Sequence, residues 1–189
     1  MTELNVEPPV TGEEIARALE RLHQDSVALY ATLSTAAFLA PQGAAWSPAD
    51  HVRHLTKSMR ALNRGLRLPR LVLRLRFGRA RNPSRSYEAV MLAYRKRLET
   101  FDGRNNPFAP ATSMGADPEA WRAEVMRFHE IAVQELARHT RQLSEPALDR
   151  YQVPHPLLGM LTLREMLFFM VYHNLHHVRL VGARSAVPS

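Results

Sequence analysis

Apolar residues recur at helical spacing in four long stretches of the chain, and each stretch is opened by a residue suited to cap a helix. Thr11-Gly12-Glu13-Glu14 has the form of a capping box, in which the threonine oxygen serves one unpaired N–H and Glu14 reaches back to another. Ile15, Leu19, Leu22, Ser26, Leu29 and Leu33 follow near a period of 3.6. Ser47-Pro48-Ala49-Asp50 places a cap, a proline at the first helical position and an acid at the positive helix end, ahead of Val52, Leu55, Met59 and Leu62. Asp117-Pro118-Glu119-Ala120 repeats that grammar ahead of Trp121, Val125, Phe128, Ala132, Leu136 and Leu143. Thr162-Leu163-Arg164-Glu165 is a second capping box, before Met166, Phe169, Met170 and His173. The pattern predicts helices over 12–39, 48–66, 118–144 and 163–182.

The stretch between the second and third of these is too long to lack structure. Tyr87, Val90, Met91, Tyr94, Leu98 and Phe101 share one helical face and predict a fifth helix ending near Gly103. Residues 68–77 fit both an alternating strand and a helix. Val72 breaks the alternation and no partner strand is evident, so a helix is expected. Asn105–Gly115 and Glu145–Leu161, rich in proline and glycine, read as loops. The expected fold is all-α: a four-helix bundle with an extra cationic helical segment between helices 2 and 3. A single domain is expected over 1–189, with 1–10 and 183–189 as flexible termini.

Composition narrows the chemistry. Of 189 residues none is cysteine, which excludes disulfides, iron–sulfur clusters, thiolate zinc sites and a cysteine nucleophile. No stretch approaches 18 uncharged apolar residues, so no spanning helix is expected. The opening MTELNVEPPV carries acids and prolines where a secretory leader has a basic end and an apolar core, so a cytoplasmic protein is expected. The net charge of +7 is unevenly placed: residues 53–104 hold 15 of the 25 lysines and arginines against three acids. Such a block could attract phosphate-rich partners or an anionic membrane surface. Without a nucleic-acid motif beside it, a solvated arginine-rich surface is favoured over either contact, and no membrane partner is expected.

Nine histidines are present, and they cluster. His173 and His177 stand one turn apart on the last predicted helix, about 40° apart around its axis, so both imidazoles can reach one metal ion. His176 lies on the flank. The second helix offers His51 and His54, either of which could complete a set of three nitrogen ligands, leaving coordination positions open as in catalytic sites. His23, His129, His139 and His155 read as satisfied core or surface residues, with His129 the one best placed to reach the bundle centre. Trp46 and Trp121, each beside a helix start, read as core anchors, and Met166 and Met170 as core filling.

Trp46-Ser47-Pro48-Ala49-Asp50-His51-Val52-Arg53-His54-Leu55 resembles the segment that opens the second helix in the DinB/YfiT-like superfamily. The run from His155-Pro156-Leu157-Leu158-Gly159 to Thr162-Leu163-Arg164-Glu165, and on to His173-Asn174-Leu175-His176-His177, resembles its last helix and the loop before it. The resemblance implies an up-down-down-up bundle, a homodimer, and a divalent metal held by His54, His173 and His177, with His51 and His176 as neighbours. It covers about a fifth of the chain and leaves the basic segment 67–104 outside.

Family members of this kind include thiol-dependent transferases and a maleylpyruvate isomerase type. One expected function is therefore a metalloenzyme, a transferase or hydrolase acting on a small molecule, with zinc, nickel, iron or copper as candidate metals. Glu165, Glu130, His129 and His51 are its candidate proton carriers, although a capping role explains Glu165 at least as well. The alternative is a binding protein whose basic segment 53–104 contacts nucleic acid or another acidic partner. Its Arg67, Arg70 and Arg74 form one basic stripe. A third option is packing of the Tyr87-to-Phe101 face on a second subunit.

Overall fold

Side-chain caps set the helix starts in the computed structural model, which describes residues 5–43, 45–101, 108–110 and 115–185. The Thr11 hydroxyl accepts from Glu14 N, and Glu14 Oε2 accepts from Thr11 N at 3.0 Å, opening α1 (Gly12–Ala31). Ser47 opens α3 (Pro48–Leu66) and Asp117 opens α6 (Pro118–Arg141), both with proline in the first turn. Thr162 and Glu165 bond reciprocally, at 3.1 Å each way, and open α8 (Leu163–Ser185), which continues past the expected end at 182.

The expected first helix, 12–39, is broken. The Thr32 hydroxyl donates back to Leu29 O, and extended Ser34 caps a new short helix, α2 (Thr35–Leu39). Such side-chain bonds compete with the helical ladder. Arg122 then takes up the freed carbonyls, donating to Tyr30 O at 2.7 Å and Leu33 O at 2.8 Å. The turn drives Phe38 fully into the core.

Residues 68–77 are helical, as α4 (Arg70–Phe77). It starts late because Pro69 occupies the cap, and it ends at Gly78, whose φ of +76° suits glycine. Ser86 caps α5 (Tyr87–Leu98). α5 ends at Leu98, short of the expected end near Gly103, and Gly103 itself and most of the Asn105–Gly115 loop lie outside the described residues.

The expected 145–161 loop is instead ordered structure. It forms a short helix α7 (Glu145–Arg150) and an antiparallel hairpin of β1 (Gln152–His155) and β2 (Gly159–Thr162), with Val153 opposite Leu161 and His155 opposite Gly159. Two prolines and strands of four residues hide this hairpin from pattern analysis. Pro154 is tolerated because a two-stranded sheet has two edges, and Gly159 turns the chain at φ +73°.

The protein is thus mostly helical, with one small sheet. α6 packs on α1 and α3, while α8 packs on α1, α3 and α5. Ile15, Leu19, Met59, Leu136, Leu167 and Phe169 belong to the main core, which Tyr87, Val90 and Tyr94 of α5 extend. A smaller cluster around Tyr30, Phe38, Val52 and Val181 fills the other end. Arg164 grips Asp149 through two bonds of 2.7 and 2.9 Å, tying α7 to α8.

Glu165 is consumed by structure. Besides Thr162 N, its buried carboxylate accepts from Arg85 N at 3.0 Å and Arg85 Nε at 2.7 Å. Glu165→Ala leaves these donors unpaired and is expected to cost about 2–4 kcal/mol in a denaturant titration. That titration is best run with the His54→Ala protein as a reference for loss at the histidine cluster alone.

Candidate metal centre

α3 and α8 lie side by side, so the histidines written into their facing surfaces meet. His54 Nε2 and His177 Nε2 each lie 3.0 Å from His173 Nε2, and one nitrogen from each ring falls within 4.8 Å of the others. All three residues are buried. This is the trio expected from the resemblance, drawn from two helices more than a hundred residues apart in the chain.

The remaining ring nitrogens orient the group. His54 Nδ1–H donates to the Phe108 carbonyl at 2.9 Å, which leaves its Nε2 as a lone pair aimed at the shared point. His177 Nδ1 lies 2.7 Å from His51 Nδ1, so His51 holds the far side of a trio member. Metal-binding imidazoles are characteristically braced this way through their second nitrogen. His51 Nε2 and His173 Nδ1 are buried without a hydrogen bond among the described residues.

Burial keeps these rings neutral. It pulls His54 below its ordinary value, and His173 and His177 well below it, with the neighbouring imidazoles adding to the effect. It pulls His51 down to about 4. Three neutral imidazoles, two of their nitrogens 3.0 Å from the third and all within 4.8 Å, suit one cation, since metal–nitrogen bonds of about 2.0–2.1 Å place ligand nitrogens a little over 3 Å from each other. The donor set therefore fits a divalent transition metal. Among the described residues no carboxylate belongs to the group.

A sequence model of the DinB superfamily matches residues 18–181. The chain belongs to the DinB superfamily. No curated protein and no solved structure gives a significant match. The match runs through residues 67–104 as well, a stretch that the two motifs leave uncovered.

In this DinB-superfamily chain two of the trio, His54 and His173, border an apolar cavity of about 450 Å³. His54 and His173 form part of its wall, Phe77, Phe169 and Met170 much of the rest. Phe169 stacks on His173 with ring centres 4.8 Å apart, and Trp46 lies 5.1 Å from the His54 ring and parallel to that of His177. Trp46, expected to be a core anchor, is thus half-buried against the histidines. Its position eight residues before His54, one helical entry away, was the available signal.

His155, expected to be a satisfied residue, also lines the cavity. Its Nδ1 accepts from Leu157 N and Leu158 N, both at 3.1 Å, so its hydrogen sits on Nε2. That placement depends on the hairpin, which sequence patterns did not reveal.

The other candidates fall elsewhere. His176 is half-buried and stacks on Tyr172. His129 is buried on α6, donating from Nδ1 to the Thr56 hydroxyl at 3.2 Å, with His23 beside it. His139 donates to Asn63 Oδ1 at 3.1 Å. Glu130 is exposed and accepts from Gln134.

Burial pulls His129 down to about 3 and His155 down to about 4, from an ordinary value of 6.5. The unfolded chain therefore binds more protons than the folded one between these limits, and stability falls as pH drops from about 6.5 toward 4. The midpoint of thermal unfolding, followed in metal-free protein, is expected to fall steadily through that window and to be flat from pH 7 to 8.

Proposed function

We propose that this chain is a metal-dependent enzyme, a thiol-dependent transferase or a hydrolase, with His54, His173 and His177 as the protein ligands of a zinc, nickel or iron ion. The observation that carries this reading is the convergence of three buried Nε2 atoms, two of them 3.0 Å from the third, beside a cavity of small-molecule size. In this reading α1, α3, α6 and α8 are the four members of an up-down-down-up bundle, and the site lies where α3 and α8 face each other. The protein works in the cytoplasm.

When bound, a divalent ion with three imidazole ligands supplies Lewis acidity and acidifies a coordinated water or thiol. The chain does the rest. The Phe108 carbonyl and His51 orient two of the imidazoles. Trp46 and Phe169 exclude water from the rings they cover. His155, with its hydrogen on Nε2, donates to a polar acceptor on a substrate whose apolar body fills the cavity. Glu165 takes no part as a base, because Arg85 and the α8 cap occupy its carboxylate.

Metal analysis of protein reconstituted with zinc, nickel or iron is expected to give about one ion per chain. In His54→Ala and in His173→Ala it is expected to fall below a tenth of an ion, with helical circular dichroism retained. Loaded protein is then assayed against panels of electrophiles with low-molecular-weight thiols, and against esters and amides. Turnover that vanishes on chelation and in His173→Ala supports the enzyme. Stoichiometric metal with no turnover in any panel favours a binding protein. Wild-type protein that folds correctly but retains less than a tenth of an ion overturns the metal site itself.

A further inference from the structure

α4 is turned inside out relative to an ordinary amphipathic helix. Leu73 is its one buried residue. Leu71, Val72 and Leu75 are 57%, 40% and 75% exposed, and Leu68, just before the helix, is 38% exposed. At about 100° per residue, Leu71, Val72 and Leu75 form one stripe, centred on the side of the helix away from Leu73. Arg67, Arg70 and Arg74 line one border of that stripe and Arg76 the other. Arg67 reaches Glu135 at 2.7 Å, and Arg76 lies over the Phe77 ring. Arg70 and Arg74 are exposed and make no side-chain hydrogen bond or ion pair among the described residues.

We propose that α4 is a docking surface for an anionic phospholipid bilayer, on which the Leu71–Leu75 stripe sits in the headgroup–acyl boundary while the arginines meet lipid phosphates. A membrane surface is the partner that uses both features at once: apolar area to cover the leucines, negative charge for the flanking guanidiniums. A second copy of this chain fits poorly, because apposed α4 helices bring like charges together within a block of 15 bases and three acids. Nucleic acid would use the arginines and leave the leucines in water. No helix among the described residues is long and apolar enough to cross a membrane, so the contact lies on the surface. The expectation of a merely solvated basic surface, with no membrane partner, took account of the charge alone and not of the exposed leucines between the arginines. This inference is independent of the metal site.

The test is co-sedimentation of the full chain with vesicles of phosphatidylcholine alone, or with about one-third phosphatidylglycerol. Binding is expected to the anionic vesicles and to be at least tenfold weaker to neutral ones and in about 0.5 M salt. Leu71→Glu with Leu75→Glu, and separately Arg70→Glu with Arg74→Glu, are each expected to weaken it at least tenfold. All four positions are exposed, so metal content and helicity should stay unchanged. In a Leu75→Trp variant, fluorescence is expected to shift to the blue on adding anionic vesicles. The proposal is overturned by wild-type protein that ignores anionic vesicles, whether because an acidic macromolecule binds instead or because gel filtration shows a dimer that the leucine variant dissociates. Binding that survives the leucine changes overturns it equally.

Discussion

Four imidazoles are buried between α3 and α8, and the cost of removing polar rings from water governs how those helices meet. A buried nitrogen without a partner is expensive, and a buried charge more so. The protein answers by keeping the rings neutral and pairing ring nitrogens with one another and with a backbone carbonyl, so that the Nε2 atoms converge where a cation would be shared. His54 is held by a backbone carbonyl and His177 by His51, so the direction of each Nε2 is decided by atoms outside the trio. Trp46 and Phe169 then complete an aromatic enclosure that withholds solvent from the point of convergence.

The cavity beside the histidines has one wall from α3 and α8 and is completed by elements other than the four long helices. α5 brings Tyr94, the hairpin brings Val153 and His155, and α4 brings Phe77. These parts are fastened by charge at their edges. Arg85, just before α5, binds the carboxylate that caps α8, and Arg164 of α8 binds Asp149 of α7. The α8 cap therefore connects the start of the histidine helix to the segments that wall the cavity. A carboxylate used in this way satisfies several donors at once, which is why it is buried.

Charge is partitioned accordingly. The interior around the site is neutral and aromatic, while arginines gather on the added segment and its neighbours, outside the core. Leu73 is buried and Phe77 packs on the core, while Leu71, Val72 and Leu75 of α4 face away from the protein. Such an arrangement would be a liability for a helix that met nothing but water.

The long helices were legible because capping residues and a 3.6-residue period are local properties, and the His173–His177 pair was legible because two ligands on one helix recur one turn apart, while the choice of His54 over His51 came from the family resemblance. The interruption at Thr32–Ser34 was not, since it turns on Arg122, some ninety residues away, taking up the carbonyls that the break releases. The hairpin was not, since its strands are short and interrupted by proline, and strand pairing depends on partners rather than on composition. Residue types and spacings by themselves determined which helices form and which of their faces carry imidazoles. Tertiary structure alone decided that His51 would brace His177, that Trp46 and His155 would border the site, and that the leucines of α4 would face outward. Each of these depends on what another part of the chain brings into contact, and packing partners are not encoded in local periodicity.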